Sequence, residues 1–455
     1  MRVHQAYHYA LDPTPEQARL PASHCGAARF AFNWGLARVK AAMDQRAAER
    51  SYGIADGALT EVPWSLYDLR RAWNASKDVV APWWAENSKE AYNTGLDGLA
   101  RALKNWAASR KGVRAGKTVG FPRFKAKHRA ALSCRFTTGT IRVEVDRRHV
   151  TLPRLGTIRT HESTRKLARH LERRTGRVLS ATVRAEGGRW FVAFTCEIDR
   201  AERVPARPDA VVGVDLGVKD LAVLSTGEVI ASPRHHRSAL KRLRRLNKQL
   251  ARRVGPRTPD GARRQASARW AKTKAALGRA HARVANQRRD GLHKLTTRLA
   301  VTYGMVVVED LNVSGMLANR GLARAVADTG MAEVRRQLTY KTGWSGGGLV
   351  VADRWFPSSK TCSGCGAVKA KLALSDREYT CSECGLVLDR DLNAALNLAA
   401  LAAGVAQSCG ETVNARGGAV SPVVRARLAP VKRELPEGRT PPRQRGGSLT
   451  LTEKH

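Results

Sequence analysis

Two cysteine pairs constrain the fold of this chain more than any other feature of its sequence. The segments Cys362-Ser-Gly-Cys365 and Cys381-Ser-Glu-Cys384 both have C-x2-C spacing, and fifteen residues (366–380) separate them. Each pair predicts a knuckle, a tight turn that presents two thiolates, and glycines accompany both turns: Gly364, Gly366 and Gly385. Four thiolates at this spacing are typical ligands of tetrahedral Zn²⁺, and they close its coordination sphere. We therefore predict a four-cysteine zinc ribbon over residues 356–388 that binds a structural Zn²⁺ ion. The fifteen residues between the pairs leave room for one hairpin, which Lys371–Thr380 could supply.

The rest of the chain is typical of an intracellular protein. Its first residues contain no apolar segment like that of a secretory signal, and the longest nearly apolar run, around 394–406, is too short to span a bilayer. We expect a cytoplasmic protein with no membrane segment, and structural disulfides are rare in that compartment. The remaining cysteines are expected to be isolated, buried or incidental residues: Cys25, Cys134, Cys196 and Cys409.

The net charge indicates a polyanionic partner. Lys and Arg number 80 against 39 Asp and Glu, which gives a formal charge of +41. Nucleic acid is the natural candidate for neutralising it, because each contacted phosphate releases a counterion. Residues 234–302 alone hold 21 Lys and Arg but only two acids, so we expect them to contact phosphates. The alternatives are a solvated charged face for this segment, and a basic protein that binds nucleic acid only as a polyelectrolyte.

Periodicity divides the N-terminal half into a helical and a β-rich part. Residues 1–10 alternate like a strand, and Thr14, Pro15 and Gln17 form the start signal of a helix. Because Pro21 follows, we expect the main helix only from Ala22 to Ala42. Further helices are predicted at 64–76, 86–110 and 162–175, and strands at 142–145, 149–152, 157–160, 179–184 and 190–197. The pattern fits a small β-barrel or sandwich with helical inserts.

The C-terminal half has the element order of an RNase H-like fold. After a charged linker come three short strands, a long basic helical region, a buried strand and further α/β units. The predicted bounds are 201–208 for the linker, 211–216, 221–225 and 229–232 for the strands, 234–302 for the helical region with a break at 254–261, 305–309 for the next strand, 326–342 for a helix and 349–355 for a strand. We therefore predict an α/β multi-domain protein with an RNase H-like nuclease core. Residues 405–455, rich in Arg, Pro and Gly, are predicted to be a disordered basic tail.

Three acids stand at the ends of apolar elements in this half. Asp215 lies in an apolar strand, where a carboxylate is costly unless it is paired or binds a metal. Gly213 and Gly217 beside it allow a backbone or a substrate to approach closely. Glu309 ends an apolar strand, and Asp391 opens an Ala-rich helix after the ribbon. Taken alone, Glu309 could be a surface acid and Asp391 a helix N-cap.

Together the three carboxylates predict a two-metal nuclease site. Phosphodiester hydrolysis needs an activated water and stabilisation of charge on the leaving oxygen, and two Mg²⁺ ions provide both. Mg²⁺ prefers hard oxygen ligands, and an RNase H-like fold places its first strand beside its fourth, which brings Asp215 near Glu309. The neighbouring acids Asp310 and Asp389 are competing candidates. Strand alternation leaves only one of Glu309 and Asp310 on the catalytic face.

The sequence also resembles a known family. Four segments look like the motifs of TnpB proteins, which are encoded by transposons: Gly213–Lys219, Val308–Leu311, Phe356–Gly366 and Asp389–Asn397. The opening strand and helix, Leu96–Trp106 and Val119–Lys125 are similar as well, so the resemblance covers roughly residues 1–404. It is specific because the zinc ribbon lies between the second and third acidic motifs, as in that family. It favours Glu309 over Asp310, and Asp391 over Asp389.

The resemblance implies an RNA-guided DNA endonuclease related to the type V CRISPR nucleases, with Asp215, Glu309 and Asp391 as catalytic acids and Mg²⁺ ligands. The implied domains are a wedge-like β-barrel (1–10 and 120–205), a helical recognition lobe inserted in it (11–119), and a RuvC-like nuclease domain (206–355 and 389–404). Guide RNA and target DNA are the implied partners. The protein would read a short adjacent DNA motif and leave the remaining sequence choice to base pairing. We expect a monomer.

Three other functions stay open at this point. One is an RNA-guided protein that binds DNA without cutting it, which the intact acidic triad disfavours. Another is a strand-joining transposase, which the zinc ribbon and the β-rich first half disfavour. The third is a resolvase-like nuclease that works without a guide.

Overall fold

The structure is a computed structural model that describes residues 1–127, 129–254, 266–373, 375–408 and 423–426. Its helices are α1 (Pro15–Ser51), α2 (Leu66–Val80), α3 (Lys89–Arg110), α4 (Arg165–Glu172), α5 (His235–Arg252), α6 (Ala268–Thr302), α7 (Val313–Ala318), α8 (Ala323–Thr329), α9 (Met331–Trp344) and α10 (Arg390–Ser408). Its strands are β1 (Arg2–Asp12), β2 (Ser133–Phe136), β3 (Arg142–Val143), β4 (His149–Leu152), β5 (Gly156–Thr160), β6 (Gly176–Glu186), β7 (Arg189–Asp199), β8 (Arg207–Asp215), β9 (Asp220–Leu224), β10 (Val229–Ala231), β11 (Tyr303–Glu309), β12 (Gly348–Ala352), β13 (Glu378–Thr380), β14 (Val387–Asp389) and β15 (Val423–Ala426). None of the helices in these ranges combines the length and the apolar character needed to cross a lipid bilayer.

The N-terminal half is built on a seven-stranded antiparallel sheet in the order β2-β6-β7-β1-β5-β4-β3. Strand β1 joins its two parts, because Arg2–Ala10 pair with β7 and Leu11–Asp12 pair with β5. The sheet and the helices α1–α3 bury one shared core, which includes Leu96 and Phe194. The helices therefore pack onto the sheet without forming a separate hydrophobic unit. Since β2 and β3 are the outer strands, closure into a barrel stays a prediction.

Pro21 does not delay helix α1, contrary to expectation. The predicted capping box is present, since Thr14 accepts a hydrogen bond from the Gln17 backbone, and the helix runs unbroken from Pro15 to Ser51. Pro21 removes one backbone hydrogen bond, but it is buried in the fold, and the packing of this long helix offsets that loss.

The C-terminal half contains a six-stranded sheet in the order β10-β9-β8-β11-β12-β15. Strand β9 is antiparallel to β8 and β10, whereas β8, β11, β12 and β15 are parallel to one another. The first and fourth strands of this half are neighbours, as the sequence predicts, with Val214 of β8 beside Val308 of β11. Because parallel strands end at the same edge of a sheet, Asp215 and Glu309, the last residues of β8 and β11, lie at one edge.

Alternation along these strands directs both acids to the same face. Val214 and Val308 lie in the core formed with α6 and α9, whereas Val307 packs against α10 on the other face. Successive side chains of a strand point to opposite faces. Asp215 and Glu309 therefore lie on the face that α10 covers.

Helix α10 packs directly on β8 because Gly213 has no side chain. A Cβ atom at Gly213 would lie 1.9 Å from the carbonyl oxygen of Ala395 and 2.6 Å from the backbone nitrogen of Ala399. Any other residue would push the helix away from the strand. Gly213 therefore sets the separation between Asp215 on the strand and Asp391 in the first turn of the helix.

Two predicted elements of this half differ from the structure. Gly330, with a φ of 74°, separates α8 from α9 within the single helix predicted over 326–342, because a left-handed residue ends a helix. The predicted disordered tail is also partly wrong: α10 continues to Ser408, and Val423–Ala426 extend the sheet by pairing with β12. The rest of that tail (409–422 and 427–455) and residues 255–261 of the predicted helix break lie outside the described residues.

Replacing Gly213 with alanine should lower the midpoint of thermal unfolding, because the added methyl group forces α10 away from β8. Overpacking of this kind costs about 1–3 kcal/mol, and sometimes more. Gly291→Ala is the matched control, since Gly291 lies in α6 with nothing within 4 Å of an added Cβ atom, and alanine is the better helix former. Differential scanning fluorimetry measures both midpoints. A Gly213→Ala midpoint equal to or above that of the control would contradict this role of Gly213.

Candidate active site and zinc ribbon

Three carboxylates from three elements lie near the same edge of the six-stranded sheet. Asp215 ends β8, Glu309 ends β11, and Asp391 lies in the first turn of α10. All three residues are half-buried. The negative charges of Glu309 and Asp391 both act on Asp215, which places Asp215 at the centre of the group.

The environment of these acids disfavours their charged forms. Burial, followed by the charges of Glu309 and Asp391, raises the pKa of Asp215 from 3.8 to about 8, although Arg390 opposes this shift. Burial also raises the pKa of Glu309, against the opposing hydrogen bond from Ser358. Such a group of carboxylates favours the binding of a proton or a cation, which supplies the missing positive charge.

Glu309 and Asp310 have different partners at the end of β11. Glu309 accepts a hydrogen bond from the Ser358 hydroxyl. The Asp310 carboxylate is instead paired with two guanidinium groups, that of Arg335 from α9 and that of Arg354 at 3.2 Å. Its charge is therefore already balanced by the protein. This difference separates the two candidate acids in favour of Glu309.

Asp389 and Asp391 also have different roles. Asp389 caps helix α10, because its Oδ1 atom accepts hydrogen bonds from the backbone N–H groups of Asp391 at 2.9 Å and Leu392 at 3.1 Å. Such an oxygen satisfies the otherwise unpaired N–H groups of the first turn. The capping role that position alone suggests for Asp391 thus belongs to Asp389. The charges of both acids raise the pKa of Asp215, and that of Asp391 does so more strongly.

A cleft of about 310 Å³ opens beside Glu309. Leu216 and Met331 line its apolar side, and Arg335 and Arg354 line its polar side. The cleft lies along the carboxyl edge of the sheet, and of the three acids only Glu309 lines it.

The four ribbon cysteines come together as predicted. Their sulfur atoms all lie within 4.8 Å of one another, with 3.6 Å separating Cys362 from Cys384 and Cys365 from Cys381. Zn–S bonds of about 2.3 Å in a tetrahedron separate the sulfurs by roughly 3.8 Å, so this spacing fits a zinc ion. Among the residues that the structure describes, no other three Cys, His, Asp or Glu side chains are placed to share an ion in this way. The four thiols can therefore bind a metal such as zinc.

The two knuckles have the same backbone geometry. In each, the glycine after the second cysteine has a left-handed backbone and donates to the carbonyl oxygen of the first cysteine, at 3.0 Å for Gly366 and 3.2 Å for Gly385. Backbone N–H groups aimed at the sulfurs lower the pKa of Cys362 to about 6 and also lower the pKa of Cys381, the first cysteine of each knuckle. Contacts with the other sulfurs instead raise the pKa of the second cysteines, Cys365 and Cys384. Each knuckle thus favours the thiolate form of its first cysteine, the form that a metal requires.

The hairpin of the ribbon lies elsewhere than predicted. Residues 371–380 between the cysteine pairs were expected to supply it, but β13 pairs with β14 across the second knuckle. The tight turn at Cys381–Gly385 is itself the hairpin loop, which explains why no separate turn is needed.

Two buried asparagines fasten the ribbon to helix α10. Asn393 donates to the carbonyl oxygen of Thr361 at 2.7 Å, and Asn397 donates to that of Ser358 at 2.7 Å. Since the Ser358 hydroxyl donates to Glu309, the ribbon, the helix and one of the acids form a single hydrogen-bonded unit.

Sequence patterns alone leave Ser358, Asn393 and Asn397 without a role. A usable signal exists for the asparagines, because two amides four residues apart interrupt an Ala- and Leu-rich helix. Buried amides need hydrogen-bond partners, so such a pair indicates a segment docked on that helix. Nothing comparable marks Ser358, whose role depends on where the ribbon folds back.

Comparison with known families gives three matches along the chain. Residues 193–320 match a family described as "Probable transposase", and residues 332–398 match one described as "Cas12f1-like, TNB domain". Residues 1–47 match a "Helix-turn-helix domain", although here they form one strand and part of one unbroken helix. The chain is thus of the transposon-associated class that carries a Cas12f1-like domain, and this domain contains the ribbon and the start of α10.

Three curated relatives span most of the chain. A protein of Mycobacterium tuberculosis is 44% identical over 87% of this chain and 86% of its own length. One from Streptomyces pristinaespiralis is 35% identical over 90% and 92%, and InsQ of Escherichia coli is 31% identical over 91% and 96%. All three bear the name "putative RNA-guided DNA endonuclease". The chain belongs to the TnpB family, as its motifs indicate.

Cys362→Ser should abolish metal binding by the ribbon, because three thiolates and a hydroxyl hold zinc far more weakly than four thiolates. The wild type should contain about one zinc per chain by elemental analysis, and the variant almost none. Cys25→Ala is the control, since burial raises the pKa of Cys25 to about 12 and keeps it a neutral thiol. Full zinc content in Cys362→Ser, or its loss in Cys25→Ala, would contradict the assignment.

Asp215→Asn should remove a pH dependence of stability. The pKa of Asp215 is higher in the folded protein, at about 8, than its ordinary 3.8, so the folded state binds this proton more tightly. The free energy of unfolding of metal-free protein therefore falls as pH rises through this interval. In thermal melts with a chelator, Asp215→Asn should be more stable than the wild type at pH 8, by a margin that shrinks towards pH 4.

Asp290→Asn is the control for this experiment. Asp290 is exposed and pairs with Lys294 at 2.7 Å on the surface of α6, so its loss should leave the pH profile unchanged. Parallel profiles for the wild type and Asp215→Asn would show that the pKa of Asp215 is not raised in the folded protein.

Proposed function

We propose that this chain is an RNA-guided, Mg²⁺-dependent endonuclease, encoded by a transposable element, that cuts phosphodiester bonds of target DNA next to a short adjacent motif. One observation supports the proposal: Asp215 and Glu309 end neighbouring strands at one edge of the six-stranded sheet, and burial together with the charges of Glu309 and Asp391 raises the pKa of Asp215 to about 8. Gathering three acids in this way is unfavourable for the metal-free fold. The bound cations of a nuclease site offset that cost.

An RNase H-like core of the RuvC type is the proposed architecture of residues 206–355 and 389–404. The strand order supports it, because the second strand of this half is antiparallel to the first and the first lies beside the fourth. The inserted ribbon, residues 356–388, would hold Zn²⁺ as a structural ion through its four thiolates.

The three acids are the proposed ligands of a pair of Mg²⁺ ions, although their oxygens do not cluster as closely as the four sulfurs of the ribbon do. Carboxylate oxygens are the ligands that Mg²⁺ prefers. Bound Mg²⁺ would supply an activated water and neutralise charge on the leaving oxygen. The chain itself positions the ligands: Ser358 orients the Glu309 carboxylate, Asp389 fixes the helix turn that carries Asp391, and Gly213 sets the distance from helix to strand.

Guide RNA and target DNA are the proposed partners. The names of the curated relatives and the formal charge of +41 both support them. Helices α5 and α6 pack on each other through Leu243, Leu246 and Ala280, which leaves most of their Lys and Arg side chains exposed to contact phosphates. The wedge-like unit (1–10 and 120–205) and the helices of 11–119 would hold the guide and its heteroduplex with DNA.

Glu309→Gln should abolish guided DNA cleavage, while Asp310→Asn should retain it. The first substitution removes a metal ligand and the transition-state stabilisation that depends on it, a loss of at least about 100-fold in rate. The second removes an acid that is already paired with Arg335 and Arg354. Cleavage of a plasmid that matches the bound guide is the measurement, and both variants should keep their guide RNA.

The same assay tests the guide and the alternatives. Protein purified with its RNA should cut only plasmids that match that RNA, and ribonuclease treatment should abolish cutting. Equal cutting after removal of the RNA would indicate an unguided nuclease. Tight guided binding with no cutting by the wild type in Mg²⁺ would indicate a non-cutting binder, and joined DNA strands would indicate a transposase.

A further inference from the structure

One tryptophan stands in solvent next to the candidate active site. The Trp355 side chain is 85% exposed, whereas the next most exposed tryptophans, Trp64 and Trp83, are 41% and 38% exposed. Those two rings have aromatic partners, Trp106 and Phe30. No aromatic or cation–π contact involves Trp355 among the described residues. A single exposed apolar side chain is common, but a ring this exposed keeps both of its faces free for a planar ligand, and its neighbours in the chain contact the candidate site.

The backbone of Trp355 is firmly held although its ring is not. The Trp355 N–H group donates to the Asp353 carboxylate at 2.9 Å, and the Phe356 N–H group donates to the Asp353 carbonyl oxygen at 3.0 Å. The Phe356 ring packs against the core between the sheet and α10. Trp355 therefore lies in a turn whose backbone is already ordered. Ligand binding would not have to order this backbone, which keeps the entropic cost of binding low.

The segment that contains Trp355 also contacts two acids at the end of β11, Glu309 and Asp310. Its neighbour Arg354 lines the cleft beside Glu309 and pairs with Asp310. On the other side of Trp355 in the chain, Ser358 donates its hydroxyl to Glu309. Trp355 therefore lies in the chain between a residue that lines the cleft and a residue that contacts Glu309.

We propose that Trp355 is a stacking platform for one unpaired base of the DNA strand that enters the acidic site. This rests on the proposed nuclease function and names a positioning residue for it. A planar aromatic ring stacks on any base, because every base has a π face, so the platform would position the strand without selecting its sequence. The scissile phosphate would then be held in register with Asp215 and Glu309.

Comparing the wild type with three variants of Trp355 distinguishes base stacking from apolar contact. Trp355→Ala should weaken binding of single-stranded DNA by the guide-loaded protein roughly 5- to 150-fold, the range expected for one stacked base. Trp355→Phe should retain most of the affinity, whereas Trp355→Leu, which keeps apolar bulk but has no π face, should behave like the alanine variant. Melting midpoints should not change, since the ring is exposed. Equal affinities for all four proteins would overturn the proposal.

Removing the base should have the same effect as removing the ring. A series of DNA strands, each with one abasic position near the cut site, should include one that the wild type cuts as slowly as Trp355→Ala cuts intact DNA. Trp355→Ala should be insensitive to that same abasic position. Additive losses at every position would show that ring and base do not contact each other.

Binding is measured in buffer without Mg²⁺ and without a chelator, so that the ribbon keeps its metal, and cleavage is measured with Mg²⁺; the two hypotheses therefore fail in different ways. Binding that depends on the ring at residue 355, with no cleavage by the wild type, would refute the nuclease function and leave the stacking platform standing. Cleavage by the wild type with no effect of Trp355→Ala in either assay would refute only the platform. A loss of guide RNA affinity in Trp355→Ala, with DNA binding otherwise equal, would overturn it in favour of an RNA contact.

Discussion

The contact between the backbone of helix α10 and strand β8 determines the geometry of everything around it. Gly213 allows the helix to approach until its own carbonyl and amide groups touch the strand, so that a single Cβ atom would separate them. Three features depend on this close approach: Asp391 is brought near Asp215, the asparagines of α10 face the ribbon, and Val307 is covered. The absence of a side chain at Gly213, two residues before Asp215, is thus a condition for the geometry of the site.

Electrostatic strain is the second organising property of the site. Burial and repulsion by nearby acids raise the pKa of Asp215 well above its ordinary value. Two neighbouring acids have partners of their own. Asp310 is balanced by two arginines, and Asp389 is occupied by the N–H groups of the helix it caps. The other three acids in this part of the structure, Asp215, Glu309 and Asp391, are the ones that we propose as ligands of a cation. Discrimination between adjacent acids comes from their partners, not from their intrinsic chemistry.

Local patterns predict the parts of this molecule that depend on local chemistry. Cysteine spacing alone identifies the ribbon, and apolar strands ending in Asp215 and Glu309 identify two of the acids and the neighbouring strands that carry them. Patterns fail where tertiary packing overrides a local rule. Pro21 stays within a helix that packing holds together, and the ribbon hairpin forms around a knuckle that already contains its turn. The role of Ser358 depends wholly on where a distant segment folds back.

The asparagine contacts make the two halves of the site interdependent. The four thiols of the ribbon are not among the proposed ligands of the acidic site. The segment that leads into the ribbon nevertheless contains Ser358, which donates a hydrogen bond to Glu309. Helix α10 is hydrogen-bonded to that same segment through Asn393 and Asn397. An oxidant or a chelator that unfolds the knuckles would therefore disturb the orientation of Glu309, although no acid of the site is altered chemically. The integrity of the ribbon is therefore a condition for the geometry of the acidic site, although none of its cysteines belongs to that site.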